Sequence, residues 1–232
     1  MRPSLVLVPC LLAALLVARP ASAALRSPQV PVFGGGLQGY MNSVGEHIVV
    51  GTDQLDQQFW GSTVSNNATL TVQVELTGNA SSNTIGIYNS TAADPALYTI
   101  FPGAATNGWF VVISFRSAPV RAVVNLFDES AALQGTTTYL GADKNAFAYY
   151  LSGPDGVLYT QDARNPGGAA QFLAYAGTGV NAGSFWICGE ESVVAGGASD
   201  RDYDDVILFL EAPLCACPTQ RCSWSTLKER FR

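Results

Sequence analysis

The sequence has few of the residues on which catalysis and nucleic-acid binding depend. It has a single histidine, His47, and only 12 lysines and arginines against 18 aspartates and glutamates. No G-x-S-x-G nucleophile turn and no H-E-x-x-H zinc motif occurs. A chain this poor in basic residues lacks the positive surface that binds a phosphate backbone, so we expect no nucleic-acid partner. We predict that the protein is not an enzyme, although two carboxylates are enough for glycan hydrolysis, which stays open as an alternative.

Long apolar runs are absent after the first residues. Residues 5–17 form an apolar segment that follows Arg2 and precedes the small-residue triplet Ala21-Ser22-Ala23. This arrangement is typical of a secretory signal peptide, and the segment is shorter than the roughly 18–20 residues that a membrane-spanning helix needs. We therefore predict that residues 1–23 are a signal peptide and that the mature chain is secreted or lies at the cell surface, with no membrane span.

The mature chain is more acidic than the whole sequence. Cleavage after residue 23 leaves 209 residues (232 minus 23), and removing Arg2 and Arg19 leaves 10 basic residues (12 minus 2) against 18 acidic ones, a net charge of −8. This length suits a single domain, and this charge favours cations as partners. Three sequons predict N-glycosylation if the host is eukaryotic. They begin at Asn67, Asn79 and Asn89.

Four cysteines remain after cleavage, and three of them lie close to the C-terminus. They are Cys188, Cys215, Cys217 and Cys222. An even number in an exported chain favours two disulfides, with three possible connectivities that the sequence does not rank. A zinc site made of the same thiols is the alternative, but the C-x-C-x4-C spacing matches the usual zinc-ligand spacing poorly. Residues 214–232 are Cys-rich and then basic, which predicts a C-terminal tail.

The apolar residues of the mature chain predict strands rather than helices. They occur in short β-branched or aromatic runs separated by Gly, Asn, Asp, Ser and Pro. In residues 69–76 the alternation places Leu70, Val72, Val74 and Leu76 on one face. Ten candidate strands cover residues 47–50, 69–76, 84–88, 109–115, 122–127, 146–151, 157–159, 171–175, 184–188 and 206–210. We predict an all-β fold over residues 24–213, a jelly-roll-like β-sandwich of two antiparallel sheets in a single domain.

Acidic residues are concentrated in residues 190–205, where Arg201 is the only basic residue. Crowded carboxylates repel one another unless a cation lies between them. Ca²⁺ takes six to eight oxygen ligands, which an acidic turn can supply, so we predict a calcium site. An EF-hand is excluded because its sixth position would be Asp205 rather than glycine and a strand-forming VILFL segment follows. Charges that only keep this strand soluble are the alternative. The predicted ligands are Glu190, Glu191, Asp200, Asp202, Asp204 and Asp205.

Four segments resemble, in the same order, the DUF4114-type domain, a β-rich module of exported proteins that often carry a PEP-CTERM sorting tail. SDRDYDDVILFLE resembles its D-x-D-[YF]-N-D-[LMV]-V signature, and NTIGIYNSTAADPALYTIFPG, KNAFAYYLSGPDGVLYTQDARN and CGEES resemble three earlier motifs. The resemblance covers most of residues 40–211 and implies a sandwich with a cation site. The sequence departs from the pattern at Ala148, at Leu173 and at Asp204 or Asp205, where Gly, His and Asn are usual.

These observations predict a non-catalytic structural or adhesive protein at the cell surface or in the extracellular matrix, with calcium and other surface or matrix proteins as its partners. The alternative is a calcium-dependent carbohydrate-binding module with glycans as partners. That alternative requires an aromatic platform beside the aspartates. The candidate aromatic residues are Trp60, Trp109, Tyr149, Tyr150, Tyr159, Tyr175 and Trp186.

Overall fold

The computed structural model describes residues 23–62 and 66–211, so residues 1–22 of the predicted signal peptide and the predicted tail lie outside it. The described part contains eleven strands, one α-helix and four short 3-10 turns. The prediction of an all-β fold is confirmed. The helix and strands are α1 (Gly36–Ser43), β1 (Asn67–Glu75), β2 (Thr84–Asn89), β3 (Leu97–Phe101), β4 (Phe110–Ser117), β5 (Val120–Phe127), β6 (Leu133–Leu140), β7 (Phe147–Gly153), β8 (Gly156–Tyr159), β9 (Phe172–Ala176), β10 (Phe185–Gly189) and β11 (Val206–Glu211).

The strands form two antiparallel sheets that pack face to face. One sheet has seven strands in the order β6-β5-β4-β1-β11-β10-β9, and the other has four in the order β3-β2-β7-β8. The main core lies between them, where Leu70 and Leu208 of the large sheet join Ile87 and Tyr149 of the small one. These four side chains are at most 1% exposed, as expected for strands that alternate between a core face and an outer face. The predicted two-sheet sandwich is therefore confirmed.

Nine of the ten predicted strands are present, with ends shifted by a few residues. The prediction of a strand at residues 47–50 is wrong, because side chains take up the backbone groups that a strand partner would bind. The N–H groups of His47, Val49 and Val50 donate to Thr178 Oγ1, Asp53 Oδ2 and Gln38 Oε1, at 2.9, 2.8 and 3.1 Å. Strands β3 and β6 were not predicted. Strand β6 is an exposed edge strand, so burial gives its sequence no apolar pattern.

A bulge corrects the predicted alternation in β1. Leu70 and Val72 face the main core, but the pairing of β1 with β11 shifts register between Val72 and Val74. An extra residue in one strand changes the direction of the side chains that follow it. Val74 therefore packs against the opposite face of the sheet, and Leu76 is 64% exposed.

The outer face of the large sheet is covered at one end by α1 and the chain around it. Leu37 and Met41 of α1 pack with Trp186 of β10 and Ile207 of β11 in a second apolar cluster. This covering explains why β11 is buried on both faces, as the apolar run VILFL indicates. No helix of the described residues is long and apolar enough to cross a membrane.

One buried carboxylate fixes this cover to the sheet. Glu46 is 3% exposed and accepts hydrogen bonds from the N–H and Oγ1 of Thr178, from Asn181 Nδ2 and from Trp186 Nε1. Burial opposes ionisation of Glu46, but these donors outweigh it and hold its pKa below the usual value. Glu46 therefore connects the segment after α1 to β10 and to the turn after β9.

Strands β7 and β8 form a hairpin, and its turn sequence, Gly153-Pro154-Asp155-Gly156, is typical of tight turns. Strands β7 and β8 pair antiparallel, and Gly153 lies opposite Gly156 at the end of the ladder. Gly156 has a φ of 101°, a conformation that the absence of a Cβ permits.

Candidate acidic site

The acidic loop, residues 190–205, connects β10 to β11. These strands are antiparallel neighbours, and Gly189 lies directly opposite Val206. Glu190 follows β10 and Asp205 precedes β11, so the pairing of the two strands brings both ends of the loop to one edge of the sheet. The fold thus gathers carboxylates that lie far apart in the sequence.

Two residues of the acidic loop have left-handed backbone conformations. Arg201 and Tyr203 have φ values of 61° and 57°, in a region that residues other than glycine seldom occupy. Such conformations cost about 1–3 kcal/mol each and persist only where the surroundings fix them. Here Arg201 O accepts the Phe33 N–H at 2.9 Å, and the buried Tyr203 donates its hydroxyl to Ala170 O at 2.9 Å.

The carboxylates of the loop form two overlapping groups. One contains Glu190, Asp200 and Asp202, the other Asp202, Asp204 and Asp205, and the oxygens of each group lie within 4.8 Å of one another. Asp202 belongs to both. None of the five forms a salt bridge within residues 23–62 and 66–211, where the ion pair present joins Arg26 to Asp162. The atoms that could bind a metal ion are all carboxylate oxygens, so each group could hold a hard metal ion.

Glu190 is the most buried member of the cluster. It is 0% exposed, and it accepts hydrogen bonds of 2.5 Å from the Ser199 hydroxyl and from the Tyr203 N–H. Burial nevertheless raises its pKa to about 7, and the negative charges of Asp205 and Asp200 add to this effect. Near neutral pH the ionised form of Glu190 therefore lacks the positive partner that burial normally demands.

Asp204 and Asp205, like Glu190, have no positive partner for their negative charge among the described residues. Burial and the neighbouring Asp202 raise the pKa of Asp204 to about 6. Burial also raises the pKa of Asp205, although its Oδ2 accepts the Glu191 N–H at 3.0 Å. Protons or a cation must therefore balance the charge at this end of the sheet.

A glycine-rich turn before α1 packs against the loop. A Cβ placed on Gly36 would lie 1.9 Å from Asp204 Oδ2, and one on Gly34 would lie 3.6 Å from Asp202 Cβ. Only a residue without a side chain leaves the Asp204 carboxylate in its observed position. This contact was not predicted, although three consecutive glycines, residues 34–36, indicate that the backbone and another group approach closely.

The structure does not bring the predicted ligand Glu191 into either group. Its carboxylate instead accepts hydrogen bonds from Asn79 Nδ2 at 2.9 Å, from Asn83 Nδ2 at 3.0 Å and from the Thr77 hydroxyl. Asn83 Nδ2 also donates to Glu75, whose pKa is raised to about 7, mainly by burial. Glu191 thus anchors the turn after β1 rather than the acidic loop.

Two of the three sequon asparagines use their side-chain amides in the fold. Asn79 Nδ2 donates to Glu191 Oε1, while Asn89 Nδ2 donates to Gly141 O at 2.9 Å and Asn89 Oδ1 accepts the Asp143 N–H at 2.8 Å. Asn67 lies opposite Ser114 in the pairing of β1 with β4. Attachment of a glycan to Asn79 or Asn89 would remove a donor from these bonds. Glycosylation stays a prediction.

Cys188 is a free, buried thiol in β10, and it is the one cysteine within the described ranges. Burial raises its pKa well above the usual value, so the thiol stays protonated. The structure gives no support to a disulfide at Cys188. The other cysteines, Cys215, Cys217 and Cys222, lie outside the described residues, so neither the disulfides nor the alternative zinc site is tested.

The aromatic residues considered for a platform lie mostly in the cores. Trp60, Tyr149, Tyr150, Tyr175 and Trp186 are buried, and Trp109 and Tyr159 are half-buried. The aromatic residue within the acidic loop, Tyr203, is 0% exposed. His47 is exposed and belongs to neither carboxylate group.

The fold and this site together define a two-sheet β-sandwich with a carboxylate-rich loop at one edge of its larger sheet. A scan against protein-family models, a search of curated proteins and a search of solved structures each gave no match.

Proposed function

We propose that the protein is a secreted β-sandwich that calcium stabilises and that has a non-catalytic structural or adhesive role at the cell surface or in the extracellular matrix. The observation that carries the proposal is the convergence of five carboxylates at the end of β10 and the start of β11. Their oxygens lie within 4.8 Å of one another in two groups that share Asp202. A cation held there would join the two ends of the acidic loop.

The chemistry of the donors favours calcium over other ions. Both groups contain only carboxylates, whereas zinc and copper prefer imidazole and thiolate. Magnesium requires a nearly ideal octahedron and keeps several of its waters, but calcium accepts six to eight oxygens in irregular arrangements. A loop with two left-handed residues supplies such an irregular arrangement.

A structural role agrees with the position of the site. The loop ends at β11, an interior strand of the large sheet, and it contacts the glycine turn that leads into α1. Binding of an ion would therefore stabilise the connection between the sheet and its covering segment. The exposed His47 lies in neither acidic group, so the site lacks the imidazole that most often acts as a general base.

Titration of the purified protein with calcium tests the proposal. Asp202→Asn should weaken calcium binding at least about tenfold, because Asp202 belongs to both groups and the amide removes a charge without changing the shape. Calorimetry measures the affinity, and magnesium titrated under the same conditions should bind more weakly.

Asp94→Asn provides the matched control, because Asp94 is exposed and lies in neither carboxylate group. This variant should bind calcium as the parent protein does. Absence of calcium binding at millimolar concentration, or equal affinity in the Asp202 and Asp94 variants, would refute the site.

Gly36→Ala should weaken calcium binding while the protein stays folded. The added Cβ would lie 1.9 Å from Asp204 Oδ2, so this carboxylate must rotate away from its neighbours. Changes beside a metal ligand typically cost about 10–100-fold in affinity, and we expect an effect in this range.

Gly39→Ala is the control within the same helix, because a Cβ at Gly39 meets nothing within 4 Å. It should leave calcium affinity unchanged and stabilise α1 by about 1 kcal/mol, since alanine favours helix more than glycine does. Calorimetry and thermal melting of both variants make the comparison. Equal calcium affinities would show that Asp204 is not a ligand.

A further inference from the structure

A separate cavity lies on the other side of the acidic loop. Its volume is about 410 Å³, within the range of small-molecule sites. Three parts of the chain supply most of its wall: residues 26–31 of the covering segment, the turn that includes Asp162 and Ala170, and the acidic loop, through Val194, Arg201 and Tyr203. Arg201 and Tyr203, the two left-handed residues of the loop, line the cavity, whereas Asp200, Asp202 and Asp204 contribute to the carboxylate groups.

Two arginines with uncommitted donors line this cavity. Arg26 Nη1 pairs with Asp162 Oδ2 at 2.8 Å, while Arg26 Nε is buried without a hydrogen-bond partner. The hydrogen bond of the Arg201 guanidinium is a long one, 3.5 Å from Nη2 to Val194 O. A guanidinium presents up to five N–H donors in a planar array that matches a carboxylate. Two guanidinium groups thus line one cavity, in a chain whose net charge is −6.

Two residues of the cavity wall also carry acceptor atoms without partners. Asp162 Oδ1 and Gln29 Oε1 are buried without partners, and Asp56 also lines the wall. Three of the six unpartnered buried side-chain atoms in the described residues thus belong to residues around this cavity. A buried donor or acceptor without a partner lowers stability, so such atoms seldom cluster unless a ligand or ordered water satisfies them.

We propose that this cavity binds a small carboxylate ligand that also carries hydroxyl groups, the chemistry of a uronic acid. The guanidinium groups of Arg26 and Arg201 bind the carboxylate, and Asp162 and Asp56 accept hydrogen bonds from the hydroxyls. The apolar walls contact the face of the sugar ring. They are formed by Pro28, Val30 and Pro31.

The charges of the cavity wall favour a ligand that carries one negative charge and neutral hydrogen-bond donors. Two arginines and two aspartates balance each other, so a phosphate dianion would be repelled by Asp56 and Asp162. Asp162 is already paired with Arg26, so a hydroxyl suits this carboxylate better than a second cation does. The ligand is either a free sugar acid or the end of an acidic polysaccharide, since both present the same groups.

The cavity and the acidic site share one short backbone segment. Residues 200–204 alternate between the carboxylate groups and the cavity wall, so ordering one side orders the other. Uronate should therefore raise calcium affinity, and calcium should raise uronate affinity by the same factor. This coupling rests on the proposed function, whereas binding of uronate at the cavity does not.

Galacturonate and glucuronate titrated into the full chain, in calcium and again in chelator, test the proposal. We expect saturable binding, measured by calorimetry or by ligand-observed NMR. Galactose and glucose should bind at least about tenfold more weakly, since they lack the charge that the arginines bind. Trigalacturonate distinguishes the two sources, because tighter binding than the monosaccharide indicates a polysaccharide end and equal or weaker binding indicates a free sugar acid.

Arg26→Gln and Arg201→Gln should each weaken uronate binding at least about tenfold. Arg201→Gln is the safer variant, since the Arg201 guanidinium makes a long hydrogen bond to Val194 O whereas that of Arg26 forms an ion pair. Arg116→Gln, at an exposed position of β4, is the matched control and should leave the affinity unchanged.

Three results would overturn the proposal: no saturable uronate binding, equal binding of acidic and neutral sugars, or unchanged affinity in both cavity variants. If the Asp202 variant loses calcium binding but still binds uronate, the result would support uronate binding at the cavity independently of the calcium site. Uronate binding to a protein that shows no calcium binding would refute the proposed function and leave the cavity supported.

Discussion

Without calcium, the protein is expected to lose stability as the pH rises from about 4.5 to 7, and calcium is expected to reverse this dependence. The folded state holds the pKa of Glu190 near 7 and that of Asp204 near 6, above the usual values of 4.5 and 3.8. Between these limits the folded chain binds more protons than the unfolded chain does. Stability therefore falls as the pH rises through this window. The buried Glu190 alone contributes a loss of about 3 kcal/mol, and the more accessible Asp204 contributes less because water screens its charge.

Calcium reverses the sign of the dependence of stability on pH, because it binds the ionised carboxylates and competes with protons. Saturating calcium at about 100 to 1,000 times its dissociation constant adds about 3–4 kcal/mol, which corresponds to roughly 6–16 °C in melting temperature for a chain of this size. Thermal melting between pH 4.5 and 8, in chelator and in calcium, measures both slopes. The difference in melting temperature between the two conditions should grow with pH.

Glu190→Gln identifies the group responsible. It should reduce the pH dependence in chelator and the gain from calcium, because the amide cannot ionise. Glu75 and Asp204, whose pKa values are also raised, should keep part of the slope. Asp94→Asn, at an exposed site, should reproduce the parent curves. Identical slopes in chelator and in calcium would contradict the calcium site, and a steep slope retained in the Glu190 variant would assign the titration to other groups.

Glu46→Ala is expected to destabilise the protein by about 3–5 kcal/mol, or at least about 6 °C in melting temperature. The substitution leaves the buried Trp186 Nε1 and the donors of Thr178 and Asn181 without their acceptor. Glu46→Gln should cost less, because one oxygen can still accept. Denaturant unfolding followed by circular dichroism measures both changes.

The pH dependence of Glu46 has the opposite sign to that of the acidic loop. Its folded pKa is lowered, so its contribution is present above the unfolded value of 4.5 and is lost as the pH falls through the folded pKa. The Glu46→Ala variant should therefore lose less stability than the parent on acidification below pH 4.5. Glu129→Ala, at an exposed site, should change stability by less than about 0.5 kcal/mol. An effect of Glu46→Ala as small as this would show that the cover is held by apolar packing alone.

The sequence predicts this fold well where burial leaves an apolar pattern. Strand β11 is buried on both faces, and its continuous run VILFL indicates a central strand. Strand β6 is exposed along most of its length and carries threonines, so its sequence resembles a loop. The segment at residues 47–50 alternates as a strand does, with Ile48 and Val50 buried, but alternation does not reveal which groups bind the backbone.

The candidate site was predictable in its composition but not in its geometry. Charge density alone identifies the acidic loop, and five of the six predicted ligands do converge. The direction of Glu191 depends on the distant Asn79 and Asn83, which no local pattern connects to it. Contacts between remote segments, such as Gly36 with Asp204, arise only when the whole chain is folded.

The order of the strands has a consequence for the folding of a chain that emerges from its N-terminus. Strands β1, β4, β5 and β6 form one block of the large sheet and the hairpin of β9 and β10 forms another, but only β11 joins the two. Because β11 is the last strand of the described chain, the incomplete protein exposes two unpaired strand edges until residues 206–211 are free to pair. Pairing of β1 with β11 spans more than 130 residues, since Leu70 lies opposite Leu210. Such distant pairing slows folding and prolongs the period in which the nascent edges are open to aggregation.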